Sequence, residues 1–161
     1  MIICLRPQPD CGSDVAELTR RSVQAVALPM LQLAYLPAPP VLSSSPSQQS
    51  FYKGIIITSK QASRYLAEHA DASPAMRCLP VWSVGAGSAE ILRQVGFEIA
   101  YTGNGSAADL ADQICQQGAS EPLLWFSGRD VHLDIAARLN GQGITVNRQV
   151  VYHTDALLTP Y

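Results

Sequence analysis

Short apolar runs alternate with segments of helical periodicity along most of this chain, the pattern left by parallel strands joined by crossover helices. The runs predict strands over residues 2–5, 24–28, 54–58, 81–84, 99–101, 123–126 and 145–152. The periodic segments predict helices over 14–22, 61–68, 88–95, 107–117 and 131–140. Ser106 followed by Asp109 suits a capping box, and Gly96 after Gln94-Val95 suits a C-terminal cap. Leu110, Ala111, Ile114 and Cys115 make a stripe wide enough to lie on a sheet.

The alternation breaks over 36–50, where prolines and serines crowd together, and this stretch is expected to be a linker. Downstream, 51–149 holds enough strands and helices for a complete flavodoxin-like domain with helices on both faces of its sheet. Upstream, 1–35 offers one strand-helix-strand unit, too little to bury its own apolar surface. Residues 150–161 then read as a crossing strand that starts back toward the first part.

At 161 residues the chain is long enough for one good core, and two full domains do not fit. With 47% hydrophobic and 15% charged residues, little is left over for a disordered tail. A net charge of −2 gives no basic footprint, so no nucleic-acid partner is expected. Cys4, Cys11, Cys78 and Cys115 form no CxxC pair and read as free thiols of a reducing compartment. The start lacks a basic leader with a long apolar stretch, and no run approaches the ~20 residues of a membrane span. A soluble, cytoplasmic protein without a membrane partner is expected.

In open parallel sheets, ligands bind outside the carboxyl ends of strands, where loops lead into helix N-termini with unpaired N–H groups. The candidate loops are Arg6-Pro7, Thr58-Ser59-Lys60, Gly85-Ala86-Gly87-Ser88, Thr102 to Gly105-Ser106, and Ser127-Gly128-Arg129. Their small residues and hydroxyls suit a carboxylate or phosphate. One helix terminus contributes only about 0.3–1 kcal/mol toward an anion, so useful affinity needs several acting on one polyanion. The same serines also serve as plain helix caps.

Other chemistries find little support. Gly85-Ala86-Gly87 lacks the third glycine and the acidic ribose partner of a dinucleotide site, and no Gly-Lys-Ser or Gly-Lys-Thr marks a P-loop. The strand ends are not acidic enough for a receiver-type metal pocket. His69, His132 and His153 share no ligand spacing with one another or with the cysteines, so no metal and no cofactor is expected. No serine lies in a GxSxG elbow.

Read in order, the short phrases resemble those of the uroporphyrinogen-III synthase family over some 150 residues. They are Leu5-Arg6-Pro7, Leu28-Pro29-Met30, Ile55-Ile56-Ile57-Thr58-Ser59, Val84-Gly85-Ala86-Gly87-Ser88-Ala89 and Gly105-Ser106 leading to Asp109-Leu110-Ala111. Ser127-Gly128-Arg129, Gly143-Ile144-Thr145-Val146 and Val151-Tyr152-His153-Thr154 complete the series. Leu5 stands where the family usually has threonine, and Ser88 keeps a hydroxyl where it has threonine.

The resemblance implies an α/β fold in which a flavodoxin-like parallel-sheet domain is inserted into a second flavodoxin-like domain, with the active site in the cleft between them. It implies the substrate hydroxymethylbilane, a polyanion with carboxylates on every pyrrole ring. The enzyme, a cyclising lyase of haem biosynthesis, expels the hydroxyl of ring A's hydroxymethyl group. Ring D then attacks through a spiro intermediate and the macrocycle closes with that ring inverted, giving uroporphyrinogen III. Tyr152 matches the family tyrosine and is the candidate general acid; a tyrosine filling the hinge with its hydroxyl hydrogen-bonded is the structural alternative. Arg6, Thr58, Ser59, Lys60, Gly85, Ser88, Gly105, Ser106, Gly128 and Arg129 are the candidate substrate contacts.

The family chain continues through three more strand-helix units after its tyrosine and is expected to be monomeric. The resemblance therefore implies an incomplete first domain here. The chain then reads as a fragment, or as a binding module without catalysis, or as one completed by a partner or swapped dimer. An anion-sensing module that uses the same loops is the rival functional reading.

Overall fold

A computed structural model describes residues 1–49 and 51–157. It divides into two compact units, one of Met1–Tyr35 with the chain from His153 onward, the other of Leu36–Tyr152.

The first unit holds β1 (Ile2–Cys4), α1 (Asp10–Arg20), β2 (Ala25–Ala27) and β3 (Leu31–Tyr35). β1 and β2 pair in parallel, Ile2 opposite Ala25 and Cys4 opposite Ala27, and α1 is their crossover. The helix begins ahead of the predicted residue 14, because helical bonding takes over directly after two prolines: Cys11 N donates to Pro7 O and Ser13 N to Pro9 O. Proline is tolerated at a helix start, where its missing N–H has no helical acceptor. Ile2, Ile3, Leu5, Val26 and Leu28 are 45–52% exposed, as expected of a single strand-helix-strand unit.

β3 lies outside the strands that the sequence predicts. Its Leu31, Leu33 and Tyr35 alternate over too few residues to stand out, and its backbone partners lie far along the chain. Leu157 N donates to Met30 O in the first unit, and Leu36 N to Val151 O in the second.

The second unit opens with α2 (Pro40–Ser43) and α3 (Pro46–Gln49). Residues 36–49, expected to take neither helix nor strand, thus carry two short helices. Pro40 and Pro46 occupy first helical positions, where proline fits. Leu42 is 1% exposed, its carbonyl accepts from Gln49 Nε2 and Ser73 Oγ, and so this segment packs as part of the unit.

There follow β4 (Gly54–Ile57), α4 (Lys60–Glu68), α5 (Pro74–Arg77), β5 (Val81–Ser83), α6 (Ala86–Arg93) and β6 (Ile99–Thr102). α7 (Ala107–Gln117), β7 (Leu123–Gly128), α8 (Ile135–Asn140) and β8 (Val146–Ala156) complete the series. β8 passes from the second unit into the first after Tyr152. Five strands pair in parallel in the order β8-β7-β4-β5-β6. Counted within the unit this is 3-2-1-4-5 if β4 is taken as the first, a doubly wound order whose detail differs from the flavodoxin order 2-1-3-4-5. The direction of winding reverses between β4 and β7.

Strand periodicity decides the two cores. Ile55, Ile57, Leu124 and Phe126 meet Ala62, Leu66 and Leu92 from α4 and α6 on one face. Ile56, Leu123 and Trp125 meet Leu110, Ile114 and Leu139 from α7 and α8 on the other. β4 and β7 are buried along their whole lengths, which is why they read as unbroken apolar runs.

Candidate functional site at the carboxyl ends of the second sheet

A doubly wound sheet presents ligands with its strand ends at the point where winding reverses. Here the loops after β4 and β7 flank that point. β4 ends on Ile57, and Thr58-Ser59 turn the chain into α4. Ser59 is extended, and its Oγ accepts from Ala62 N at 3.2 Å, an N-cap bond that satisfies one of the helix's orphan donors. The hydroxyl of Tyr152 donates to the same oxygen at 3.0 Å.

The ring of Tyr152 lies against Gly128, the last residue of β7. A Cβ placed on Gly128 would fall 2.6 Å from Tyr152 Cζ and 2.9 Å from its hydroxyl oxygen, so glycine is required for this close approach. Arg129 N donates to Tyr152 O at 2.9 Å. Backbone and ring together hold Tyr152 between the β4 and β7 loops.

Thr58 accepts at Oγ1 from Trp125 Nε1 at 3.0 Å. The Arg148 guanidinium lies 4.9 Å from the centre of the Trp125 ring. It donates to Ser127 Oγ at 2.8 Å, Gly128 O at 2.7 Å and Arg129 O at 2.9 Å. Arg148 therefore fixes the loop that carries Gly128 and Arg129. Neither Arg148 nor Trp125 stands out in the sequence; the available signal is a charged residue in the middle of a strand, whose pairing only the fold supplies.

Lys60, the first residue of α4, reaches toward the β5 loop: a Cβ on Gly87 would meet Lys60 Cε at 2.5 Å and Nζ at 3.2 Å. Gly85 caps α6 in extended conformation, and Ser83 Oγ donates to its carbonyl at 3.0 Å. The β6 loop is tied to the same strand end, because Gly105 N donates to Val84 O at 2.7 Å with Gly105 at φ +106°. Ser106 Oγ then caps α7 by accepting from Asp109 N at 3.2 Å.

Ser59, Gly128, Arg129 and Tyr152 are thus in direct contact, with Thr58 beside them. Lys60 bridges to the Gly85 loop, and Gly105-Ser106 follow. Ser88 is only 4% exposed, so its hydroxyl is enclosed within α6's packing. Arg6 lies in the first unit, where Asp14 at 2.8 Å and Asp10 at 3.1 Å take its guanidinium. The hydrogen bond to Asp14 raises its pKa, burial opposes the rise, and the charges of Asp10 and Asp14 add to it. Among the described residues no group of three or more His, Cys, Asp or Glu is placed to hold a metal ion. None of their helices is long and apolar enough to cross a membrane.

The family model described as uroporphyrinogen-III synthase HemD matches residues 13–159. Among solved structures, uroporphyrinogen-III synthetase from Helicobacter pylori is similar with a TM-score of 0.62 at 18% identity, over 86% of this chain and 58% of that one. A mutant uroporphyrinogen III synthase from the extremely thermophilic bacterium Thermus thermophilus is similar with a TM-score of 0.67 at 14% identity, over 96% of this chain and 62% of that one. The chain therefore spans less than two thirds of these relatives. At such identities the structural likeness speaks for the fold.

Proposed function

The chain belongs to the uroporphyrinogen-III synthase family, and from that premise we propose that it closes hydroxymethylbilane to uroporphyrinogen III, a cyclisation in haem biosynthesis. The observation that carries this reading is the hydrogen bond from Tyr152 to Ser59 over Gly128. It holds a proton donor beside the N-terminus of a helix, at the sheet's reversal point.

The substrate's carboxylates suit the amides at the start of α4 and α6, with the Lys60 ammonium between them. Each terminus contributes about 0.3–1 kcal/mol, so the polyanion gains by touching several. Holding the bilane folded, with ring D over the carbon that ring A activates, is a proximity effect that needs no strongly activated side chain.

Loss of the hydroxyl from ring A's hydroxymethyl group requires one proton. Tyr152 O–H is redirected from Ser59 Oγ to that leaving oxygen, and water departs as the electron-rich pyrrole pushes the C–O electrons out. A hydroxyl both donates and accepts, so Ser59 turns its own O–H toward the phenolate while its oxygen keeps the bond from Ala62 N. Ring D attacks the carbon that remains through its substituted α-carbon, giving the spiro intermediate. The bond from that α-carbon to the bridge carbon of ring C then breaks, and ring D's free α-carbon bonds to the bridge carbon. The proton it loses returns to Tyr152 as the macrocycle closes with ring D inverted.

The test is turnover of freshly prepared hydroxymethylbilane with chromatographic separation of the isomers. The type III isomer is expected. The spontaneous type I product alone would refute the reading, and tight bilane binding with type I product alone would favour a binding module.

A further inference from the structure

Two of the cysteines that are separate in sequence meet in the first unit. Cys4 ends β1 and Cys11 lies in the first turn of α1. Cys11 Sγ donates to Cys4 O at 3.0 Å, which brings its sulfur to the residue that carries the other thiol. Cys4 Sγ in turn donates to Asp14 Oδ2 at 3.7 Å.

Their surroundings differ. Cys11 is 0% exposed, whereas Cys4 is partly exposed and lines an open groove of about 810 Å³ together with Arg6, Asp14 and Arg21. A solute thus has a path to Cys4 and none to Cys11.

We propose that Cys4 and Cys11 form a reversible disulfide, made by exchange with a small dialkyl disulfide of the glutathione type, that ties the end of β1 to the first turn of α1. The Cys4 thiol loses its proton, and the thiolate attacks one sulfur of the small disulfide and expels the other half as thiolate. The Cys11 thiol then loses its proton and attacks the Cys4 sulfur, expelling the second half. Two electrons and two protons leave the protein, and the small disulfide becomes two thiols.

The order follows from accessibility and charge. Burial, and the hydrogen bond and charge of the Cys4 side chain beside it, push the Cys11 thiol up. Cys11 is therefore a poor first nucleophile, but it is placed for the second step, which is intramolecular and brings its own effective concentration. The closed stretch from 4 to 11 contains Arg6 and Pro7, so the bond stiffens the loop after β1.

The experiment treats the native chain with oxidised glutathione, quenches with acid, and maps peptides without reduction. The Arg6-Pro7 bond resists trypsin, so both thiols remain in the peptide 1–20. That peptide is expected to lose the mass of two hydrogens and to regain it with dithiothreitol. Cys11→Ser should stop with glutathione on Cys4, and Cys4→Ser should leave peptide 1–20 unmodified. Exposed Cys78 reports that the reagent is active. In urea, where the pairing geometry is lost, the cross-link should fall relative to the Cys4 adduct. A wild-type chain that keeps glutathione on Cys4, or that is modified at Cys78 with peptide 1–20 unchanged, overturns the proposal. The readout is covalent and independent of turnover.

Discussion

Tyr152 donates its hydroxyl to Ser59 Oγ at 3.0 Å, a bond between residues 93 apart in sequence. It makes one oxygen serve both the cap of α4 and the candidate proton donor. Replacing Tyr152 by phenylalanine keeps the ring against Gly128 and removes only that bond. We expect a stability loss of about 0.5–1.5 kcal/mol and a fall in type III formation of about 100-fold or more. Urea unfolding and steady-state kinetics measure the two separately. A type III rate that is unchanged in Tyr152→Phe would make Tyr152 a structural residue.

Gly128 tolerates no Cβ while the ring of Tyr152 occupies its present position. Gly128→Ala should destabilise by about 1–3 kcal/mol, the usual cost of overfilling a packed site. The same substitution in a Tyr152→Ala background should cost distinctly less, since the obstructing ring is gone. A double-mutant cycle by urea denaturation gives the coupling.

Arg148 gathers Ser127 Oγ and the carbonyls of Gly128 and Arg129 onto one guanidinium. Methionine keeps the packing against Trp125 and leaves those acceptors without their donor. A loss of about 1.5–3 kcal/mol is expected, in the range for hydrogen bonds to a charged group. Lysine should recover little, because its ammonium cannot match the planar fork of donors. Thermal or urea melts of both variants decide this.

Glu121 accepts from the backbone N–H of Thr145, and that bond lowers its pKa in the folded state. A lowered carboxylate stabilises the fold above its unfolded-state pKa. That contribution is lost as pH falls through the folded value. The stability difference between wild type and Glu121→Gln should therefore be present at neutral pH and shrink on acidification. Urea midpoints across the acid range check this. A constant difference would sink the assignment.

Much of the fold was legible because it is written locally. Ile55 to Ile57 and Leu123 to Phe126 are continuous apolar runs because their strands are covered on both faces. The limits of α7 agree with the sequence to the residue, because Ser106 caps its start and Gly118, at φ +63°, ends it in the left-handed conformation that glycine adopts freely. β3 and the short α2, α3 and α5 were not legible. Each is too short to show a period, and α2 is held by partners such as Ser73, 31 residues away from Leu42.

The candidate site divides in the same way. Residue types and loop positions marked Thr58, Ser59, Lys60, Gly85, Gly105 and Gly128, since small residues and hydroxyls at strand ends are a local property, whereas Tyr152 was marked only by the family resemblance. Their grouping was not local. Ser59 meets Tyr152 because β7 alone lies between β4 and β8 in the sheet, an order set by which strands pair. The pairing also enlists Trp125 and Arg148, whereas Arg6 with Asp10 and Asp14, and Cys4 with Cys11, meet in the other unit where the chain turns from β1 into α1. By itself the sequence determined the α/β alternation, the principal strands and the set of candidate loops, through periodicity and capping that act over a few residues. The tertiary structure alone decided which side chains touch, because contact between distant residues depends on strand order and register, to which no short stretch of sequence is sensitive.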